Sequence, residues 1–194
     1  MRPLVLASTS GYRRALLERL GLPFAAVAPR CDEDLLKAAG LPAEQLVAQL
    51  SRLKAESVAA DHPDALILGS DQAAELDGEI LGKPGTEERA CAQLQRLQGR
   101  EHRLLTGLCL LDAATGHRAE ALDIHRLRLR PLTPEQIARY VAKDQPLDCA
   151  GSYKIEGPGI ALFDSIHGRD FTAIIGLPLT RTVALLAKFG VILP

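Results

Sequence analysis

Apolar and polar positions along the chain predict an alternation of strands and helices. Short apolar runs that end at turn residues predict strands over residues 4–7, 24–27 and 65–68, and longer strand candidates follow at 102–111 and 117–129. Apolar residues at helical spacing predict helices over residues 12–20, 43–60, 86–97, 134–142 and 178–188. This alternation is typical of an α/β domain.

Residues with special backbone preferences fix the expected turns. Asp77-Gly78 predicts a hairpin, and Gly69-Ser70 predicts a turn that ends the strand over residues 65–68. Residues 31–34 form an acidic turn, and the Gly-rich stretch 151–159 a loop. Because a hairpin joins antiparallel strands, we expect a mixed sheet flanked by helices.

Composition and charge narrow the class of protein. The chain has 194 residues, of which 47% are hydrophobic and 24% charged, the ordinary balance of a globular protein with a full core. That length fits one domain over residues 1–194, or one domain folded as two lobes around a cleft. The net charge of -1 disfavours a nucleic-acid polymer as partner, but a few cations suffice for a mononucleotide.

Cysteines and apolar runs bear on the compartment. Cys31, Cys91, Cys109 and Cys149 are widely spaced, so we expect buried thiols rather than a disulfide framework or a zinc site. The apolar stretch at the N-terminus is too short for a signal peptide, and no run approaches the ~18 apolar residues of a membrane helix. The expected location is the cytoplasm, away from the membrane.

The segment after the first strand suits a phosphate group. Ser8 to Arg14 turns through small residues into a helix, for which Ser10 is the predicted N-cap. Arg13 and Arg14 add cations that can bind phosphate oxygens. The alternative is an ordinary capped helix with two solvated arginines, because no Gly-x-x-x-x-Gly-Lys motif is present.

Asp71 and Lys54 are the most informative charged residues. Asp71 falls at the carboxyl end of the predicted strand 65–68, where open α/β sheets bind ligands; a turn aspartate is the alternative. Lys54 lies within the apolar arc of its helix, and an inward lysine needs an anionic partner unless it extends to the rim. We expect that partner to be an anion in a cleft.

The remaining candidates complete an inventory for polyphosphate chemistry. Lys83 lies in a stiff Gly-Lys-Pro turn, and Asp32-Glu33 offer carboxylates. The histidines lack metal-site spacing, so oxygen ligands are expected, which favour Mg²⁺ or Mn²⁺ over zinc. Phosphate-binding elements, lysines and carboxylates together indicate attack on a polyphosphate.

The order of these motifs resembles the Maf family of nucleoside triphosphate pyrophosphatases. The resemblance runs from Leu4 to about Leu179 and is carried by Leu6-Ala7-Ser8-Thr9-Ser10-Gly11-Tyr12-Arg13-Arg14, Asp32-Glu33, Lys54-Ala55, Gly69-Ser70-Asp71-Gln72, Gly82-Lys83-Pro84, Thr106-Gly107 and Gly151-Ser152-Tyr153-Lys154-Ile155-Glu156-Gly157. It implies hydrolysis of a nucleoside triphosphate to the monophosphate and diphosphate with a divalent metal. It also implies an α/β fold of the Maf and inosine triphosphatase-like type, with an elongated, curved mixed sheet flanked by helices, and two lobes around a cleft. Family habit suggests a homodimer.

The resemblance also assigns roles to individual positions. Asp71 corresponds to the proton acceptor that activates water, and Glu33, with Asp71, to the carboxylates of the metal site. The implied triphosphate contacts are Ser8, Arg13, Lys54 and Lys83.

Three further positions indicate the base. The family's dTTP/UTP branch has Arg, Thr and Gln where this chain has Tyr12, Gln72 and Glu156, whereas its 7-methyl-GTP branch has an aromatic residue, Gln and Glu. A cationic 7-methylguanine stacks favourably on an aromatic ring, and a carboxylate accepts from guanine N1–H and N2–H₂. Tyr12 packing in the core and Glu156 pairing with Lys154 are the structural alternatives.

Two departures from the family pattern and two rival functions remain. Gly11 replaces the usual Pro, which we expect to loosen the turn before the helix, and Tyr12 replaces the usual Trp, which we expect to weaken stacking. A dTTP/UTP pyrophosphatase is one rival. The other is a nucleotide-binding regulator of septum formation, which would keep its cellular effect in an Asp71→Asn variant.

Overall fold

The computed structural model describes residues 2–193, which divide into two compact units. The first unit contains the chain up to Asp71, Thr106–Asp123 and the residues from Asp170 on, and the second contains Gln72–Leu105 and Ile124–Arg169. Two units match the number of lobes that the sequence resemblance implies. Their arrangement around a cleft stays a prediction.

The described residues form strands and helices in alternation. The strands are β1 (Leu4–Ala7), β2 (Ala25–Val27), β3 (Leu66–Leu76), β4 (Glu79–Leu81), β5 (Glu101–Asp112), β6 (Arg118–Leu129) and β7 (Phe163–His167). The helices are α1 (Gly11–Glu18), α2 (Asp34–Ala38), α3 (Ala43–Glu56), α4 (Glu87–Leu97), α5 (Pro134–Asp144), α6 (Phe171–Ile175) and α7 (Leu179–Lys188). Short 3-10 turns occupy Ala59–Asp61 and Pro158–Leu162.

The strands form one mixed sheet, which confirms the predicted fold class. Its order is β2-β1-β3-β5-β6-β7, with β4 paired to β3. β1 runs parallel to both β2 and β3, whereas the β3/β4 and β6/β7 pairs are antiparallel. Asp77 and Gly78 join β3 to β4 with φ of 52° and 85°, the left-handed pair that a two-residue hairpin requires.

The core of the first unit lies on both faces of its strands. Leu66 and Leu68 of β3 face one apolar cluster, which includes residues of α1 and α7. Ile67 faces the opposite cluster, which includes Ala55 of α3. Successive residues of a strand point to opposite faces, so these clusters assign the β3 side chains up to Asp71 to the α1 side or the α3 side.

The predicted turn at Gly69-Ser70 is wrong, because β3 continues through both residues to Leu76. A Cβ at Gly69 would lie 2.0 Å from the Ser51 carbonyl oxygen of α3, and one at Gly107 of β5 would lie 2.5 Å from that of Val47. Both glycines therefore permit a close helix–strand approach rather than a change of chain direction. Asp71 consequently lies within a strand and not at its end.

Other differences concern short elements. α2 begins at Asp34, the last residue of the predicted acidic turn, and α2, α6 and β7 are elements that the sequence does not predict. The five-residue helices α2 and α6 are too short to show a hydrophobic period. α3 ends at Glu56, four residues before the predicted end. Among the residues described, no helix has the length and apolar character needed to cross a bilayer.

The cysteines are all free thiols, as predicted, but the expectation that they are buried holds only for Cys109. Cys31, Cys91 and Cys149 are half-buried. Cys109 belongs to the apolar cluster on the α3 side of the sheet, where burial raises the pKa of its thiol to about 12.

Candidate active site

Lys54 lies between two carboxylates of the first unit. Its Nζ donates to Asp71 Oδ1 at 2.6 Å and lies 3.0 Å from Glu33 Oε1. The Lys54 and Asp71 side chains are only 8% and 12% exposed, so this is a nearly desolvated ion pair. The prediction that Lys54 faces inward is confirmed. We call Asp71, Lys54 and Glu33 the Asp71 cluster.

The packing of α3 on β3 brings Lys54 to Asp71. Gly69 lets the backbone of Ser51 approach the strand, and Lys54 follows Ser51 by nearly one helical turn. Asp71 follows Gly69 by two residues and therefore points to the same face of the sheet. The packing of α3 on β3 thus determines the positions of both Lys54 and Asp71.

Glu33 connects the Asp71 cluster to a second lysine. It occupies the N-cap position of α2, and its Oε2 lies 2.8 Å from Lys37 Nζ. Partial burial would raise the pKa of Glu33, but the hydrogen bonds and charges of Lys37 and Lys54 outweigh it and hold the pKa below its usual value. Lys37 was not among the residues that the sequence singled out, because it lies on a helix too short to be recognised.

The side chain of Arg13 is bound by a backbone carbonyl. Ser10 caps α1 as predicted, its Oγ accepting from the Arg13 N–H at 3.4 Å, and Arg13 Nε donates to the Gly176 carbonyl at 3.0 Å. Burial lowers the pKa of Arg13, while the negative charges of Asp71 and Glu33 oppose this shift. The described contact of the Arg13 side chain is therefore with the Gly176 carbonyl, and the negative charges of Asp71 and Glu33 favour its cationic form.

Ser8 lies in the turn between β1 and α1. The side chain is buried, and its Oγ accepts from the Ser10 N–H at 3.1 Å. This bond stabilises the turn that leads into the N-terminus of α1. The structure thus gives Ser8 a role in shaping the turn, and its contact with a triphosphate stays a prediction.

Asp170, which was not predicted from the sequence, stabilises the segment that contains the Gly176 carbonyl, the acceptor for Arg13. Its Oδ1 accepts from the Thr172 N–H at 2.9 Å and its Oδ2 from the Thr180 N–H at 2.7 Å. One carboxylate therefore caps both α6 and α7. Gly176 lies between these helices, and its carbonyl also accepts from Ser70 Oγ at 3.3 Å. Asp170-Phe171-Thr172 is the local signal for a helix N-cap.

The remaining predicted positions lie in different parts of the two units. Tyr12 on α1 is half-buried in the first unit. Gln72 follows Asp71 on β3, so the two side chains point to opposite faces of the strand, and Gln72 is half-buried. Lys83 and Glu156 are exposed residues of the second unit. The described ion pairs thus bring together Asp71, Lys54 and Glu33, and Arg13 interacts with the two carboxylates through its charge.

A divalent cation fits the carboxylates of the Asp71 cluster. Asp71 and Glu33 both direct an oxygen at one positive group, the Lys54 ammonium. Over residues 2–193, no group of three or more His, Cys, Asp or Glu residues converges as a metal site. Mg²⁺ commonly uses one or two carboxylates and takes its other ligands from phosphates and water, so Asp71 and Glu33 could supply the protein ligands of such a cation.

The Glu156 turn, residues 154–157, is held firmly within the second unit. The Gly157 N–H donates to the Lys154 carbonyl at 3.4 Å, and Lys154 Nζ donates to the carbonyls of Asp144 and Gln145 at the end of α5. Lys154 thus bonds to main-chain carbonyls, and Glu156 is exposed.

Comparison with known proteins identifies relatives along nearly the whole chain. The family model described as "Maf-like protein" matches residues 3–189. The 7-methyl-GTP pyrophosphatase of Pseudomonas putida is 53% identical over 194 residues, 100% of both chains. That of Vibrio vulnificus is 44% identical over 187 residues, 96% of this chain and 95% of the relative. Among solved structures, the Staphylococcus aureus Ham1 protein is 15% identical with a TM-score of 0.46, covering 66% of this chain and 71% of that one.

Proposed function

The chain belongs to the Maf family, and from this membership we propose that it hydrolyses 7-methyl-GTP to 7-methyl-GMP and diphosphate. This substrate is supported by relatives that carry the name 7-methyl-GTP pyrophosphatase and that align with this chain over 95% or more of their own length. The structural observation that carries the proposal is the Asp71 cluster. In it the Asp71 carboxylate is buried against Lys54, and the same lysine also contacts the Glu33 carboxylate.

Asp71 is the proposed proton acceptor. A carboxylate accepts about four hydrogen bonds, so the bond to Lys54 leaves lone pairs for a water molecule. The water oxygen forms a bond to the α-phosphorus and the bond between that phosphorus and the α–β bridging oxygen breaks. The proton from water passes to the Asp71 carboxylate, and diphosphate leaves.

The cationic residues are proposed to hold the triphosphate. Arg13 carries a guanidinium whose charge interacts with Asp71 and Glu33, and a guanidinium binds phosphate oxygens bidentately. Lys54, Lys83 and Ser8 are the other proposed contacts. Glu33 and Asp71 would hold a divalent cation, which supplies charge neutralisation of the phosphates when it is bound. Mg²⁺ and Mn²⁺ fit the oxygen donors.

Tyr12, Gln72 and Glu156 are proposed to select the base. An exposed Glu156 and a half-buried Tyr12 leave both side chains accessible to a ligand. A cationic 7-methylguanine gains a cation–π attraction from a tyrosine ring. The Glu156 carboxylate matches the N1–H and N2–H₂ donors of guanine, whereas uracil and thymine present one N–H between two carbonyls.

A nucleotide panel tests this proposal. Diphosphate release from 7-methyl-GTP, GTP, dTTP and UTP is measured with Mg²⁺, with Mn²⁺ and with excess chelator. We expect the largest kcat/KM for 7-methyl-GTP and loss of turnover in chelator. Faster turnover of dTTP or UTP would contradict the assigned substrate, and no release from any triphosphate would contradict the enzymatic function. Full activity in chelator would contradict the need for a metal.

A further inference from the structure

The turn that carries Glu156 depends on one neighbouring side chain. We infer that Lys154 is a positioning residue that holds the Glu156 turn in place for base recognition, an inference that rests on the proposed function of Glu156. The interactions that support it all lie within the second unit.

Every polar group of Lys154 takes part in fixing the turn. Its N–H donates to Tyr140 Oη at 2.9 Å, and its carbonyl accepts from the Gly157 N–H at 3.4 Å. Its Nζ donates to the Asp144 carbonyl at 2.9 Å and the Gln145 carbonyl at 3.1 Å. Glu156 lies between Lys154 and Gly157, so its backbone position follows from these bonds.

The end of α5 is a favourable place for the Lys154 ammonium. The last carbonyls of a helix lack partners within the helix and carry partial negative charge. Gln145 ends α5 in the left-handed region, with φ of 46°, and its own amide donates to the Val141 and Ala142 carbonyls. Lys154 neutralises the same helix end and fastens the Glu156 turn to it.

The residues around Lys154 leave the turn little freedom. Tyr153 and Ile155 are 4% and 3% exposed, so an apolar anchor precedes and follows Lys154. Tyr153 Oη lies 2.9 Å from His102 Nε2, and burial lowers the pKa of that histidine to about 4, so its ring is neutral at pH 7. A Cβ at Gly159 would lie 2.3 Å from the Lys154 carbonyl oxygen, so a close chain approach supports the same group.

The buried side chains of Tyr153 and Ile155 attach the turn to the second unit, but they do not determine the direction of the exposed Glu156 side chain. That direction follows from the backbone between Lys154 and Gly157. Lys154 closes this turn through its carbonyl, which accepts from the Gly157 N–H, and ties it to α5 through its N–H and its ammonium. Removal of the ammonium should therefore widen the range of Glu156 positions while the anchors keep the unit folded. The consequence should appear as weaker discrimination among bases, with the reaction step retained.

The test compares Lys154→Met with Lys154→Arg and Lys143→Met. Methionine keeps the length of the apolar stem without the charge, arginine restores a donor for the carbonyls, and Lys143 is an exposed lysine at the same helix end. For Lys154→Met we expect kcat/KM for 7-methyl-GTP to fall about tenfold through KM, with kcat and the UTP reaction unchanged. Lys154→Arg should recover most of the loss, and Lys143→Met should behave as wild type.

The outcomes separate this inference from the proposed function. Equal losses for 7-methyl-GTP and UTP, an unchanged ratio, or no recovery with arginine would overturn the positioning role. If Lys154→Met does not fold, Tyr140→Phe, which removes the hydroxyl that accepts from the Lys154 N–H, must lower the same ratio, or the inference fails. If the wild type prefers another triphosphate, the proposed function fails, and the inference stands only if Lys154→Met and Glu156→Gln shift that preference in the same direction.

Discussion

The Asp71 cluster and the Glu156 turn are built by different forces. In the Asp71 cluster, the opposite charges of Lys54 and Asp71 are almost desolvated and each depends on its partner for compensation. In the Glu156 turn, backbone hydrogen bonds and one lysine fix the chain, while the glutamate itself is exposed. The loss of a group from the cluster leaves a buried charge uncompensated, whereas a change in the turn mainly redirects a solvated one.

This difference predicts that reaction and recognition can be separated by mutation. Variants of the Asp71 cluster should affect all nucleotides alike, because every triphosphate presents the same phosphates to it. Variants of the Glu156 turn should change the ratio between nucleotides. The experiments below test this division, from the largest expected effect to the smallest.

Asp71→Asn should give the largest loss. The amide oxygen can still accept from Lys54, so the fold is retained, but it cannot take a proton from water. General base catalysis contributes roughly 10²–10⁴-fold, so kcat should fall by that range for 7-methyl-GTP and UTP alike. Asp112→Asn is the matched control, since Asp112 is another buried aspartate with a cationic partner, Arg2. An Asp71→Asn variant with wild-type turnover would refute the role of Asp71.

Lys54→Met should cause the largest loss of stability. It leaves Asp71 and Glu33 without the cation that both contact. Breaking a buried ion pair by removing one partner costs about 3 kcal/mol or more, which denaturant unfolding would measure. Arg52→Met, which removes the more exposed pair with Glu120, should cost less than about 1 kcal/mol. Equal losses in the two variants would mean that the Lys54 ion pair is as solvated as a surface pair.

The inward position of Lys54 is the part of the site that local sequence predicts best. A charged residue within an apolar helical arc is visible from spacing alone, and the structure confirms its burial. The position of Asp71 within β3 was missed, because Gly69 looks the same whether it makes a turn or allows a helix to approach. Only the Ser51 carbonyl, eighteen positions earlier, distinguishes these cases.

Asp170 shows a second limit of local sequence. Its bonds to Thr172 follow a recognisable N-cap pattern, but its bonds to Thr180 span ten residues. No periodicity marks such a contact, because it depends on how α6 and α7 meet. Glu33 is one of the acidic residues that the sequence offers, and the family resemblance alone gives it a metal-site role. Lys37 has no comparable motif and was not predicted.

Asp170→Ala should destabilise the first unit moderately. The substitution removes the cap of α6 and of α7, and at about 1 kcal/mol for each cap the expected loss is about 2 kcal/mol. Asp164→Ala, at an exposed carboxylate 3.9 Å from Arg128, is the control and should change little. A wild-type unfolding free energy in Asp170→Ala would show that the two caps contribute nothing net.

The stability contributed by Asp170 should also depend on pH. Burial would raise the pKa of Asp170, but the hydrogen bonds from Thr172 and Thr180 outweigh it and lower the pKa. The folded state therefore binds the proton less readily than the unfolded chain, so this stability is present above about pH 4 and is lost as the pH falls further. The difference in unfolding free energy between wild type and Asp170→Ala should shrink toward acid. A constant difference from pH 7 to pH 3 would exclude the carboxylate as its source.

Glu156→Gln should have the smallest effect and gives the sharpest test of the division. The substitution keeps the shape of the side chain but replaces one acceptor oxygen with a donor, which opposes the N2–H₂ of guanine. We expect kcat/KM for 7-methyl-GTP to fall about tenfold, the cost of one mismatched polar contact, while kcat and the UTP reaction are retained. Glu101→Gln, at another exposed glutamate of the second unit, should leave the ratio unchanged. If Glu156→Gln instead lowers kcat for every nucleotide as Asp71→Asn does, Glu156 takes part in the reaction. Reaction and base recognition would then not be separated between the two regions.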